Sequence, residues 1–158
     1  MSLFEDPRFI YRDTFFVLFQ QPHRPTAEQI SAALAQLGKR YEVSNVVLSD
    51  GQAESFTVQS PQDYSAMDVA YVDGEDVGSQ IRDVLQQFRA ITLTGDDAQK
   101  LKKLSQCDAR FDIYHFERID AALDDTDQLD PGGLLLVVEK LSEISHGVGL
   151  DPQSMSLM

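Results

Sequence analysis

Apolar residues near the start of the chain follow two different periods. Phe15–Phe19 is an uninterrupted apolar run that ends before Gln-Gln-Pro, a pattern that predicts a buried strand. The next apolar residues recur every three or four positions, as on one face of a helix: Ile30, Ala33, Leu34 and Leu37. Thr26 and Gln29 precede them at the spacing of a capping box, and Gly38 follows at the position of a left-handed cap. The pattern therefore predicts a strand followed by a capped helix.

Alternating apolar and polar positions then predict three strands in succession. Tyr41–Leu48 and Glu54–Gln59 are separated by Asp50-Gly51, a dipeptide that favours a tight hairpin turn. In the second of these strands large apolar residues alternate with small polar ones, which indicates one buried face. Met67–Val72 follows as a further strand. We therefore expect a hairpin that is extended by a third strand.

The second half of the chain combines helical and alternating periods. It predicts a helix over Glu75–Arg89, a strand over Ala90–Leu93, a helix from Thr94 to about Gln106, a strand over Arg110–Arg118 and a helix over Leu134–Ile144. Acidic residues in the first turn of the first of these helices suit the positive end of its dipole. Gly147 is expected to cap the last helix, and residues 148–158 to form a surface tail.

This order of elements, β-α-β-β-β-α-β-α-β-α, predicts an α+β fold. Residues from about 13 to 94 match a ferredoxin-like β-α-β-β-α-β core with one extra strand. We therefore expect a two-layer sandwich, with helices over one face of a mainly antiparallel sheet. Residues from about 95 to 147 add an α-β-α segment that either extends this sheet or forms a second lobe. Because no Pro/Gly/Ser-rich linker separates the parts, residues 1–158 are expected to form a single domain.

The charge of the chain argues against some classes of binding partner. The chain has 26 acidic and 13 basic residues, a net charge of −13, and the excess lies mostly in residues 61–98 and 121–158. Such negative bands argue against contact with nucleic acid or an anionic membrane surface. The apolar runs are too short to cross a bilayer, and the first residues do not form a secretory signal. A cytoplasmic location is the simplest expectation, and the single cysteine agrees with it.

One acidic loop is a candidate for an interaction. Asp124, Asp125 and Asp127 have no evident part in starting a helix, whereas Asp130 precedes Pro131 and is expected to cap the helix that follows. Closely spaced carboxylates bind hard cations, but the spacing here does not match a calcium-binding EF-hand loop. The three aspartates are the candidate residues for contact with a basic protein partner, and they are weaker candidates for a metal site. Plain solvation is the preferred interpretation of this loop.

Two further residues have side chains suited to catalysis. His115 lies in a predicted strand on the side of Phe111 and Ile113, which predicts a neutral core histidine. The alternative is a general base that a carboxylate from elsewhere in the fold orients. Cys107 lies at the end of a predicted helix beside Asp108, where nothing activates a thiol. The chain has no motif of nucleotide binding, serine hydrolysis, zinc proteolysis or thiol redox chemistry, so no cofactor is predicted.

These observations favour a non-enzymatic protein-interaction or binding module. One alternative is an enzyme of unrecognised type, which uses His115 with carboxylates or a metal held by acidic loops. Another is a regulatory module that senses a small molecule, pairs through an edge strand and shares a pocket at the dimer interface. The sequence leaves the oligomeric state open.

Overall fold

The computed structural model describes residues 3–89, 95–119 and 132–158. Within these ranges the chain has an α+β fold, with a seven-stranded antiparallel sheet and four α-helices. The strands are β1 (Phe9–Phe19), β2 (Glu42–Ser49), β3 (Gln52–Ser60), β4 (Ser65–Asp73), β5 (Ala109–Arg118), β6 (Val148–Asp151) and β7 (Ser156–Leu157). The helices are α1 (Ala27–Gln36), α2 (Glu75–Phe88), α3 (Gly95–Leu104) and α4 (Gly132–Ile144).

The strand order differs from that of a ferredoxin-like core. The order across the sheet is β2-β3-β4-β5-β1-β6-β7, and each neighbouring pair is antiparallel. A ferredoxin-like core would place β1 beside β3, whereas here β4 and β5 separate them, so that part of the prediction is not confirmed. The predicted α-β-α extension contributes β5 to the centre of the same sheet. As a result, β5 is buried on both faces along most of its length. The predicted strand Ala90–Leu93 lies outside the described residues.

Two apolar clusters lie on opposite faces of the sheet. On one face, Phe15 and Val17 of β1 pack with residues of β3, β4 and β5 beneath α1 and α4. On the other face, Leu18 of β1 and Leu150 of β6 pack against α2 and α3. Within the described ranges the helices thus lie two on each face, whereas the sequence predicted helices on one face. An uninterrupted apolar run in β1 explains the difference, because successive apolar residues point to both faces and need cover on both.

Local signals in the first half of the chain are confirmed. The hydroxyl of Thr26 accepts a hydrogen bond from the amide of Gln29, and the side chain of Gln29 accepts one from the amide of Thr26. Gly38 follows α1 with a φ of +120°, which an L side chain rarely adopts. Asp50 and Gly51 both have positive φ and connect β2 to β3 as a hairpin.

The C-terminal part differs from its prediction. His146, rather than Gly147, adopts the left-handed conformation after α4, with a φ of +53°. Gly147 is needed for a different reason, because a β-carbon there would collide with the backbone carbonyl of Leu18 in β1. Residues 148–158 were predicted as a surface tail, but they form β6 and β7, and Val148 and Leu150 are buried. Strands this short offer too few alternating positions for the pattern to be recognised.

Candidate functional site

His115 is the buried centre of a polar network. The register of β5 places it opposite Met67 of β4 and Asp13 of β1, and its side chain is only 1% exposed. Its Nδ1 lies 3.0 Å from Oδ1 of Asp13, and its Nε2 lies 2.9 Å from Oγ of Ser65. When Nδ1 carries the proton, it donates to Asp13 while Nε2 accepts from the Ser65 hydroxyl. Side chains from three strands thus form a Ser65–His115–Asp13 chain of hydrogen bonds.

A β-bulge in β1 sets the position of Asp13. Tyr11 pairs with Phe116 and Asp13 pairs with His115, so Arg12 is the extra residue. The bulge lets Tyr11 contact Phe116 on one face of the sheet while Asp13 stays on the face of His115. The carboxylate that the sequence interpretation required therefore comes from a strand distant along the chain.

The electrostatics of the Ser65–His115–Asp13 chain favour a neutral imidazole. Burial lowers the pKa of His115, the Asp13 carboxylate opposes this effect, and the net direction is downward from 6.5. A neutral imidazole that accepts from a serine hydroxyl is the arrangement of a general base beside a nucleophile. However, Ser65 is 2% exposed, so a substrate has no path to its Oγ. The Ser65–His115–Asp13 hydrogen bonds thus form a satisfied polar network in the core rather than an accessible catalytic site.

A second buried carboxylate, Asp63, lies at the same end of the sheet. Its Oδ2 accepts from the hydroxyl of Ser60 at 2.5 Å and lies 3.8 Å from Nε of Arg40. A β-carbon at Gly133 would lie 2.9 Å from the same oxygen, so a larger residue there would displace the Asp63 carboxylate. Asp63 thus faces the first turn of α4, where the helix dipole favours a negative charge. These contacts fix the turn between β3 and β4 against α4.

The accessible candidate is a pocket of about 450 Å³ that we call the open-sheet pocket. Its polar lining residues lie on the α2/α3 face of the sheet, yet no described residue of α2 or α3 lines it. The side chains that shape it are Phe4, Val46, Val47, Ser55, Thr57, Asp68, Ala70 and Tyr114. Small residues on β3 and β4 leave the concavity between the larger side chains. The part of the sheet face that the described helices leave uncovered is thus the candidate site.

A bulge in β2 supplies one wall of the open-sheet pocket. Asn45 has a φ of +52°, and two residues of β2 oppose one of β3 between Ser44 and Val47. As a result, both Val46 and Val47 line the pocket, although they are adjacent in sequence. Their exposed fractions are 44% and 54%, and that of the following Leu48 is 57%. The bulge thus presents successive apolar side chains on an edge strand.

Aromatic contacts and hydrogen bonds hold the remaining lining in place. Phe4 packs against Tyr114 and Phe116, with ring centroids 5.5 and 4.7 Å apart. The carboxylate of Asp68 accepts from the hydroxyl of Thr57 at 2.8 Å and from a backbone amide at 2.9 Å. Burial and the neighbouring Asp112 raise the pKa of Tyr114, so its hydroxyl stays protonated. Among the lining residues that the structure describes there is no Lys, Arg or His.

A larger pocket of about 530 Å³ lies between α3, α4 and the C-terminal residues. Its lining mixes both signs of charge, since Lys103 lies there with Glu139 and Glu143. Cys107 lies nearby at the end of α3, and burial raises its pKa to about 11. Its thiol therefore remains protonated and unreactive near neutral pH. Neither this mixed lining nor the thiol indicates a specific chemistry.

The predicted interaction and metal residues Asp124, Asp125 and Asp127 lie outside the described residues, as do Asp130 and Pro131. In residues 3–89, 95–119 and 132–158, no group of three or more His, Cys, Asp or Glu side chains is arranged to hold a metal ion. No helix in these ranges has both the length and the apolar character needed to cross a membrane.

Comparison with known proteins adds no assignment. No protein-family model matches the chain, and no significant match was found among curated proteins or solved structures. The geometry of the sites is therefore the basis for any functional proposal.

Proposed function

We propose that this protein is a non-enzymatic binding module whose ligand occupies the open-sheet pocket. The pocket itself carries this proposal: its volume of about 450 Å³ falls within the range of roughly 300–1,000 Å³ that is usual for ligand sites. Its apolar walls and few polar groups have the composition of a site that binds by burial and orients by hydrogen bonds. The site also differs from the Ser65–His115–Asp13 chain because solvent reaches it.

The lining favours neutral or positively charged ligands. Asp68 brings a carboxylate, and Ser55 and Thr57 bring hydroxyls, while basic side chains are missing from the described lining. The net charge of −13 adds a long-range repulsion of anions. A compact ligand with an apolar or aromatic body and hydrogen-bond donors therefore matches the site.

The proposal is tested with a panel of neutral, cationic and anionic aromatic fragments, observed by saturation-transfer NMR. Neutral and cationic fragments are expected to bind, and Ala70→Trp, which fills the pocket, is expected to abolish their signals. Ala32→Phe is the matched control, because Ala32 is exposed on α1 at the opposite face of the sheet. Binding that survives Ala70→Trp, or the absence of any binding fragment, would contradict the proposal.

The interaction predicted for the three aspartates remains a separate proposal. Asp124, Asp125 and Asp127 would attract a basic protein partner through charge, independently of the open-sheet pocket. Reversal of all three to Lys should then weaken capture of that partner at low salt. Unchanged capture would remove this proposal and leave the pocket proposal untouched.

Hydrolysis through a serine nucleophile is the competing candidate function, because the Ser65–His115–Asp13 hydrogen bonds have the order of groups that this reaction uses, although Ser65 is buried. A fluorophosphonate probe tests it directly: Oγ of Ser65 would attack phosphorus, its proton would pass to Nε2 of His115, and fluoride would leave. Because Ser65 is buried, we expect no labelling of the folded protein. Labelling that Ser65→Ala abolishes would favour the hydrolase over the binding module.

A further inference from the structure

We propose that a second copy of this chain pairs with the outer edge of β2, so that the two sheets join and two open-sheet pockets share one interface. The inference goes beyond ligand binding, because it concerns the assembly rather than the contents of the pocket. It rests on the exposure, the charge and the sequence of β2.

The two edges of the sheet differ in how far they are exposed to pairing. β7, at one edge, has two residues, whereas β2, at the other, has eight, of which seven are exposed. In the described ranges, β2 pairs with β3 alone, so its outer backbone groups face no other strand. Natural edge strands are usually protected by charged side chains, proline or a bulge. β2 has a bulge at Asn45 and a second register shift between Val47 and Leu48, yet this stretch carries exposed valine and leucine.

Charge restricts where two copies can meet. Each copy has a net charge of −13, so most pairs of like surfaces repel. Within β2, Glu42 is the single ionisable residue, and Val43–Ser49 is uncharged. The stretch with the most exposed apolar side chains is therefore also a stretch where like charges do not oppose each other. A second copy of this chain is the partner that this neutral edge fits.

The sequence of β2 is self-complementary in one antiparallel register. With the two-fold axis at Val47, Val46 of each copy faces Leu48 of the partner subunit and Val47 faces the partner's Val47. Glu42 then lies beyond the end of the partner's β2, which stops at Ser49, so no carboxylate of the partner's β2 opposes it. A shift of the axis to Val46 would instead place Glu42 against the partner's Asp50. Directly opposed β-branched and aliphatic pairs stabilise antiparallel strands, whereas opposed like charges destabilise them.

This register also brings the binding sites together. Val46 and Val47 form a wall of each open-sheet pocket, so a two-fold axis at Val47 places both walls at the interface. Pairing would bury side chains that are about half exposed in one copy. Because the interface is small, we expect association to be weak and to depend on concentration.

The first test is sedimentation velocity over a concentration series that reaches roughly 0.5 mM. The wild type is expected to shift from monomer to dimer mass, and Val47→Lys to remain monomeric at every concentration. Leu135→Lys is the matched control, since Leu135 is exposed on α4 and should leave the shift unchanged. Circular dichroism confirms that each variant is folded. A wild type that stays monomeric, or a Val47→Lys variant that dimerises like it, would overturn the proposal.

The second test examines the register in a Cys107→Ser background. Val47→Cys should form a covalent dimer on mild oxidation, because the two thiols face each other across the axis. Leu48→Cys faces Val46 of the partner subunit and should form far less. Equal cross-linking of the two variants would refute this register. Ala70→Trp should leave dimerisation intact, which separates failure of the assembly from failure of the pocket.

Discussion

The Ser65–His115–Asp13 chain and the open-sheet pocket combine chemistry and access in opposite ways. The first has the order of groups used by a serine nucleophile, yet both Ser65 and His115 are almost fully buried. The second is open to solvent but contains hydroxyls and a hydrogen-bonded carboxylate instead of an activated nucleophile. The comparison shows that residue type alone does not identify an active site. A function needs both suitable groups and a route by which a ligand reaches them.

The largest expected effect is the loss of stability in His115→Leu. The substitution removes the hydrogen bonds to Asp13 and Ser65 and leaves the buried Ser65 hydroxyl without this partner. We expect a loss of about 2–3 kcal/mol in the free energy of unfolding, measured with urea. His23→Leu is the matched control, because His23 is exposed and should change stability by less than about 0.5 kcal/mol. Fragment binding in the open-sheet pocket should be retained in both variants.

Acidification should lower the free energy of unfolding through the protonation of His115. The pKa of His115 in the folded protein lies below its usual 6.5, so the unfolded chain binds more protons once the pH falls below that value. The free energy of unfolding should therefore decrease as the pH falls below about 6.5 and stop decreasing, for this group, below the folded pKa. Arg12 disfavours the protonated imidazole and Asp13 favours it. Urea unfolding between about pH 7.5 and pH 5 measures the trend. His115→Leu should lack this component, and parallel pH profiles of the two proteins would contradict the assignment.

Local elements were predictable because their signals are local. The capping box of α1 and the turn at Asp50-Gly51 each depend on residues only a few positions apart. The strand order was not predictable in the same way, since it depends on pairing between distant segments, such as β1 with β5. The apolar run in β1 did contain a signal that its two faces need cover. The ferredoxin-like interpretation did not use it.

The site was predictable only in part for the same reason. His115 was recognised from its place in an alternating strand, but Asp13 and Ser65 lie 102 and 50 positions away from it. The open-sheet pocket exists because the described helices leave part of the sheet uncovered, which no single segment encodes. Val46, Val47 and Leu48 did offer a sign, because three successive apolar residues interrupt an alternating strand. In the structure this interruption is the bulge that forms the pocket wall.

The smallest expected effect comes from a comparison of two serines on β3. One lies in the buried core and the other lies in the open-sheet pocket. Ser60 is fully buried and its hydroxyl donates to Asp63, whereas Ser55 is partly exposed in the open-sheet pocket. Ser60→Ala should lower the free energy of unfolding by about 1–2 kcal/mol, because Asp63 loses a buried donor. Ser55→Ala should change it by less than about 0.5 kcal/mol and should instead weaken the binding of fragments that hydrogen-bond to the hydroxyl. Urea unfolding and fragment titration of both variants measure the two effects. Equal losses of stability, or unchanged binding in Ser55→Ala, would show that Ser55 has no separate role in binding. The contrast between the two regions would then be wrong.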